Sequence, residues 1–124
     1  MRKWVFLLVT LLSTAPAQAN SIIGDAIIVD GDSIIVNEVP IRLWGIDAPE
    51  TGTLEGDRAK AYMRALTRDN KVRCEDNGQR IQGHVMAQCF IGEVDLGSIM
   101  VLSGNAVDWR RYSGGYYTRQ NAQN

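Results

Sequence analysis

The sequence is short of metal-binding nitrogen and sulfur, of basic excess and of long apolar runs. It has one histidine, His84, and two cysteines, Cys74 and Cys89. Without a Cys-x-x-Cys spacing these fall short of a zinc set. Lysine and arginine number 13 against 14 aspartates and glutamates, for a net charge of −1. That balance counts against a protein whose affinity comes from a broad basic surface, such as a non-specific DNA coat. The longest apolar run, Trp4 to Leu12, is too short to cross about 30 Å of hydrocarbon as a helix, so no retained transmembrane span is expected. Repeats and low-complexity linkers are missing too, and 124 residues suit a single domain. At 45% hydrophobic and 22% charged, the composition is that of a folded globule.

The apolar run has a different use. Met1, Arg2 and Lys3 precede it, and Ala17-Gln18-Ala19 follows as a small-x-small cleavage signature, so residues 1–19 read as a secretory signal peptide. Cleavage leaves a domain over 20–124 and removes two basic residues and no acidic one, making the mature chain more acidic. A chain exported to a secreted or periplasmic location can oxidise its thiols. A disulfide between Cys74 and Cys89 is therefore expected. It closes a loop of about 15 residues, for which the chain-entropy model gives roughly 3 kcal/mol.

Residues Ile22 to Val29 are rich in β-branched side chains, Asp30-Gly31-Asp32 is turn chemistry, and Ser33 to Val36 resumes the strand pattern. A turn at Asn37-Glu38 leads to a further run, Val39 to Ile46, ending at Asp47-Ala48-Pro49-Glu50. After a loop from Thr51 to Gly56 the period changes. Ala59, Tyr62, Met63 and Leu66 form one helix face, with Arg58, Lys60, Arg64 and Arg68 on the solvated side. Val72 to Glu75 and Val85 to Ile91 are strand candidates around a polar loop. Asp95 suits an N-cap, with Leu96, Ile99 and Met100 as an apolar stripe and Gly104 as the stop. Ala106 to Trp109 is the last strand candidate, and Gly114-Gly115 reads as a turn. The pattern predicts an α+β domain, mainly β, built as a five-stranded OB-type barrel with two helices.

Charge is unevenly placed. Between Asn20 and Asp57 there are eight acidic residues and one base, Arg42. Asp32, Asp47 and Glu50 fall at turns or strand ends, where loops converge and sites are commonly built. Clustered carboxylates repel one another unless a positive group sits among them, and a hard divalent cation such as Ca²⁺ takes oxygen ligands of this kind. The plainer alternative is that these are solvated turn acids, with Arg42 a structural ion-pair partner. Residue types alone leave both open.

Val29-Asp30-Gly31-Asp32-Ser33-Ile34, followed by Ile41-Arg42-Leu43-Trp44-Gly45-Ile46-Asp47-Ala48-Pro49-Glu50, resembles the double signature of the staphylococcal nuclease-like family. The likeness continues through the helix after Gly56, Gly83 to Phe90, Asp95 to Ala106 and Arg110-Arg111-Tyr112-Ser113. The resemblance implies that Asp32, Asp47 and the backbone carbonyl of Ala48 hold Ca²⁺, with Asp30 behind them. It implies Glu50 beside the attacking water and Arg42 on the scissile phosphate. A guanidinium fork suits that role because it pairs two phosphate oxygens at once.

The sequence departs from the family pattern twice. His84 stands where a second catalytic arginine is expected, in Gln82-Gly83-His84-Val85. It cannot offer a fork, but it can donate a proton to the leaving oxygen, and Arg80 is a nearby substitute. The chain also ends at Asn124, where relatives continue into a third helix, so the C-terminal helix is expected to be truncated to a turn or two. Trp44 suits the core, while Trp109, Tyr112 and an exposed pair, Tyr116 and Tyr117, are candidates for base stacking.

The resemblance thus implies a secreted, monomeric Ca²⁺-dependent nuclease. It would cleave phosphodiester bonds of DNA, with RNA a further candidate and single strands favoured, at a rate that His84 is expected to reduce. The rivals are an impaired OB module that binds nucleic acid or an extracellular polysaccharide, and an acidic calcium-binding structural domain.

Overall fold

The computed structural model describes residues 3–11 and 20–123. Residues 3–11 carry no regular secondary structure and are exposed, while the expected cleavage signature at Ala17 to Ala19 lies outside the described residues. Among the described residues no helix is long and apolar enough to cross a membrane.

The β-branched run at the start folds as two strands, β1 (Ser21–Gly24) and β2 (Ala26–Asp30), because Gly24-Asp25 interrupts it. A turn at Gly31-Asp32 returns the chain as β3 (Ser33–Val36). At Asn37 and Glu38 both φ angles are positive, 48° and 67°, the geometry that matches the twist of a two-residue hairpin into β4 (Val39–Leu43). Gly45, at φ 77°, then breaks the next apolar run, leaving Ile46–Asp47 as a separate short strand, β5.

Helix α1 (Leu54–Thr67) starts inside the expected loop, capped by the Thr53 hydroxyl, which accepts from the Gly56 amide at 3.0 Å. Its Ala59 and Met63 are fully buried, as the helical period predicts. Beyond it run β6 (Val72–Ile81), β7 (His84–Ile91), β8 (Val94–Asp95), α2 (Leu96–Leu102) and β9 (Val107–Asp108). Two short helices close the described chain, α3 (Arg110–Ser113) and α4 (Tyr116–Ala122).

The architecture is α+β. Its main sheet has seven strands in the order β1-β6-β7-β4-β3-β2, with β8 on β7, and β5 pairs separately with β9. The mainly β, OB-type α+β fold stands as expected, with its elements more finely divided: nine strands and four helices among the described residues, against the five strands and two helices expected. The sheet is also not closed by hydrogen bonds, since β1 and β2 are its opposite ends. A single residue, Asp25, separates those two strands in sequence, so the ends lie side by side and the sheet curls around its core. The polar stretch expected as a loop after Glu75 is strand as well, the outer arm of the β6–β7 hairpin, with a register shift between Asp76 and Arg80.

Cys74 and Cys89 face each other across β6 and β7 and form the expected disulfide, both fully buried. Ile34, Val36, Ile41, Leu43, Met63 and Met100 share the same core. Gly31 is enclosed there: a Cβ on it would come within 2.8 Å of the Ala59 side chain, which is how closely α1 packs over the β2–β3 turn.

Candidate active site

Strands β3, β4 and β7 set the site's register. Ser33 pairs with Arg42, and Arg42 pairs with Met86 on the parallel strand β7. Asp32 sits one residue before Ser33, and its backbone oxygen accepts from the Leu43 amide at 2.8 Å. The turn after β4 then brings Asp47 back towards Arg42, which strand alternation alone would not do.

Arg42 is the centre of the arrangement. Its Nη2 lies 3.3 Å from Asp32 Oδ2 and 3.4 Å from Asp47 Oδ1. Its Nη1 donates to the carbonyls of Ile46 at 2.9 Å and Leu43 at 3.1 Å. The guanidinium also lies 4.8 Å above the Trp109 ring, a cation–π contact. Both sequence readings of Arg42 thus meet in one geometry: it is an ion-pair partner of two acids, and it lines an open cleft.

That cleft has a volume of about 240 Å³ and is lined by Asp30, Asp32, Arg42, Asp47, Glu50 and His84, with Ser33, Ile81 and Gln82. The side-chain residues expected at the site therefore share one cavity. Asp32 is buried, and its Oδ2 accepts from the Ala48 amide at 2.7 Å. Burial raises its carboxyl above the usual aspartate value, opposed by Arg42, by the Ala48 amide and by the Ser33 hydroxyl. Asp30 accepts from the Thr51 hydroxyl.

Glu50 presents an exposed side chain from a fixed backbone. Its carbonyl accepts from the Thr53 hydroxyl at 2.6 Å, and a Cβ on Gly56 would fall 1.7 Å from that same oxygen. Only glycine lets α1 begin so close to this loop. His84 stands at the start of β7, half-buried, with Nδ1 3.1 Å from the Gln82 carbonyl. Arg80 does not reach in as the substitute cation. It makes a paired contact with Asp76, Nη1 and Nη2 each 2.9 Å from a carboxylate oxygen, and stays on the hairpin's exposed arm.

The donor set suits a hard cation. Asp32 and Asp47 converge on one guanidinium nitrogen, so both carboxylates already address a common positive charge. Among the described residues, no group of three or more His, Cys, Asp or Glu side chains gathers as a metal cluster. A cation here would rely on the two carboxylates, backbone oxygen and water, which is within the range of Ca²⁺ ligation.

Two cleft features escaped the sequence reading. Ile81 and Gln82 join the lining because the β6–β7 hairpin folds over the cleft, and polar residues in a hairpin carry no period to signal it. The Trp109 contact with Arg42 joins β4 to the end of β9, a long-range packing without a local signature. Tyr117, expected to be exposed, is fully buried, and its hydroxyl donates to Asp95 at 3.0 Å. Trp44 and Tyr116 are half-buried against it.

Comparison with known proteins places the chain in a family. The succinoglycan biosynthesis protein ExoI of Rhizobium meliloti (strain 1021) is 32% identical over 114 residues, a match that covers 82% of this chain and 60% of that protein. The chain thus spans less than two thirds of that relative's length. The family described as staphylococcal nuclease homologue matches residues 40–123, a stretch that holds Arg42, Asp47, Glu50 and His84, while Asp32 joins the site through the β2–β3 turn. The chain belongs to the staphylococcal nuclease homologue family.

Proposed function

We propose that the chain is a secreted or periplasmic Ca²⁺-dependent nuclease that hydrolyses phosphodiester bonds of DNA, with RNA a further candidate, acting as a monomer. The supporting observation is the convergence of Asp32 and Asp47 on Arg42 inside a cleft that also holds Glu50 and His84. Asp32, Asp47 and the Ala48 carbonyl would hold Ca²⁺, whose charge would neutralise both the acids and the phosphate, freeing the Arg42 fork.

The chain's own residues supply the rest. Glu50, exposed at the cleft and carried on a fixed loop, orients a water and takes its proton as the water oxygen attacks phosphorus. Arg42 neutralises charge that develops on the equatorial phosphate oxygens. The bond from phosphorus to the leaving oxygen breaks, and His84 donates a proton to that oxygen. The buried disulfide, together with the residue pattern of the first 19 positions, supports an exported location.

Hydrolysis of single-stranded DNA by residues 20–124 should require Ca²⁺ and stop on adding chelator. Absence of metal-dependent cleavage at micromolar protein would sink the proposal. A second reading has its own support: a relative named for succinoglycan biosynthesis and a histidine in the arginine's place favour an impaired module that binds polysaccharide or nucleic acid. His84→Arg separates the two. A gain of about tenfold or more in rate, as expected for restoring one charged donor to a phosphoryl site, marks an underpowered nuclease. No gain in a folded, Ca²⁺-binding variant marks a binder.

A further inference from the structure

The cleft does not end at Asp47. Asp47 also lines a second cavity of about 270 Å³, with Ala48, Pro49, Gly104, Ala106 and Val107. Pro49 and Gly104 in turn line a third, of about 250 Å³, with Glu55, Arg58 and Asn105. The shared residues set the three cavities side by side, from the acidic cleft past the β5–α1 loop and the α2–β9 turn to the first turns of α1, and we read them together as a groove.

Its chemistry alternates along its length. The cleft offers Arg42. The middle section is lined by Pro49, Ala106 and Val107, of which Ala106 is buried and Val107 is exposed. The far section offers Arg58 and Asn105. Among the described residues Arg58 forms no ion pair, and neither does Glu55, the other charged group there, one turn earlier on α1. Gly104 keeps the floor open, since nothing lies within 4 Å of where its Cβ would be.

A phosphodiester strand has this same alternation: an anionic phosphate, an apolar sugar and base, and a second phosphate. We infer that the groove is a subsite for an unpaired nucleotide next to the scissile bond, its base on Val107 and its far phosphate held by Arg58. A base inside a duplex cannot lay its face on that side chain, so the groove selects single strands. The inference rests on the nuclease reading given above and adds a polymer subsite to it.

Length dependence tests it. The readout is the ratio of kcat/KM on a short single-stranded oligodeoxynucleotide to that on a dinucleoside monophosphate, with Ca²⁺ present. Arg58→Gln should lower this ratio about fivefold, the upper range for one exposed charge contact. Glu55→Gln should raise it about twofold by removing a repulsive carboxylate. Arg64→Gln, near the other end of α1, should leave it unchanged. In chelator, fluorescence anisotropy of the labelled oligonucleotide should lose about 0.7 from its log–log salt slope in Arg58→Gln, the value for one phosphate contact on a single strand. An unchanged ratio and slope in a variant that cleaves overturn the groove and leave the nuclease reading standing. Equal losses on both substrates also overturn it, because Arg58 would then act at the cleft. Wild-type protein that neither cleaves nor binds overturns both.

Discussion

At the cleft, Asp32 shares its charge with Arg42 and faces an open cavity that also holds the exposed Glu50. Where α4 is fastened, Asp95 meets only neutral donors. It accepts from Tyr117 Oη at 3.0 Å, from the Gly97 amide at 2.9 Å and from the Gln88 amide at 3.2 Å. Burial raises the carboxyl of both residues above the ordinary aspartate value. Their partners divide the roles. A buried acid paired with a cation at an opening keeps charge available to a ligand, whereas one ringed by neutral donors fastens an element. The element here is α4, which Asp108 and Asn121 also hold, through Thr118 and Ser98.

Two substitutions set these regions against each other. Glu50→Gln should lower the cleavage rate about 10²–10⁴-fold, the usual worth of a positioned acid–base group. Because the side chain is exposed, stability should move by no more than about 0.5 kcal/mol. A parallel loss of stability in urea would mean that the cleft also fastens the fold. Tyr117→Ala should do the reverse and cost about 3–5 kcal/mol, since a fully buried aromatic leaves a cavity. Tyr117→Phe should cost about 1–3 kcal/mol, by removing the hydroxyl donor from a buried carboxylate. Urea midpoints measure both. A Tyr117→Ala domain as stable as the wild type would show that α4 is not held through the core.

A smaller change sharpens the fastening region further. Ser98→Ala removes a hydroxyl that donates to Asn121 Oδ1 at 2.6 Å. It should cost about 1 kcal/mol, an ordinary net hydrogen bond. Hydrogen exchange should show the loss first in the amides of α4, because local opening of a short terminal helix precedes global unfolding.

Legibility in the sequence divides along the same line. Asp32, Arg42, Asp47 and Glu50 stand out as turn acids and a lone arginine among β-branched strands, but residue types leave solvated acids and a metal site both open, and the roles come from the resemblance. The fastening region does not stand out. Tyr116-Tyr117 after two glycines has the local character of an exposed turn, and its burial depends on room left by two distant glycines. A Cβ on Gly97 would fall 2.5 Å from the Tyr117 hydroxyl, and one on Gly45 would fall 3.0 Å from its ring. Neither close approach has a period or a neighbour in sequence. The run from Ile22 to Val29 reads as one strand, and its division at Asp25, with β1 and β2 at opposite ends of the sheet, depends on pairing with β6 and β3, which local pattern does not encode. Legible features were those set by residue type within one turn; the rest needed partners far along the chain.

The fastening region also carries the smallest effect, one whose sign depends on pH. Asp95 and Asp108 both hold α4, but their carboxyls are shifted in opposite directions. Burial acts to raise both. At Asp95 it prevails over the neutral donors, whereas at Asp108 the hydroxyls of Ser113 and Thr118, the Thr118 amide and Arg110 outweigh it. A raised folded-state value means that the folded chain binds more protons than the unfolded one, so the contribution of Asp95 falls as pH rises from 3.8 through its folded value. A lowered value reverses the sign: the contribution of Asp108 is present above 3.8 and is lost as pH falls through its folded value. The two slopes oppose each other, which flattens the wild-type dependence near that pH. Asp95→Asn should steepen the loss of stability towards acid, because the component that improves there is gone. Asp108→Asn should weaken that loss. Urea midpoints measured from pH 3 to pH 7 compare the three proteins, and identical slopes in both variants would show that neither carboxyl is perturbed by its place beside α4.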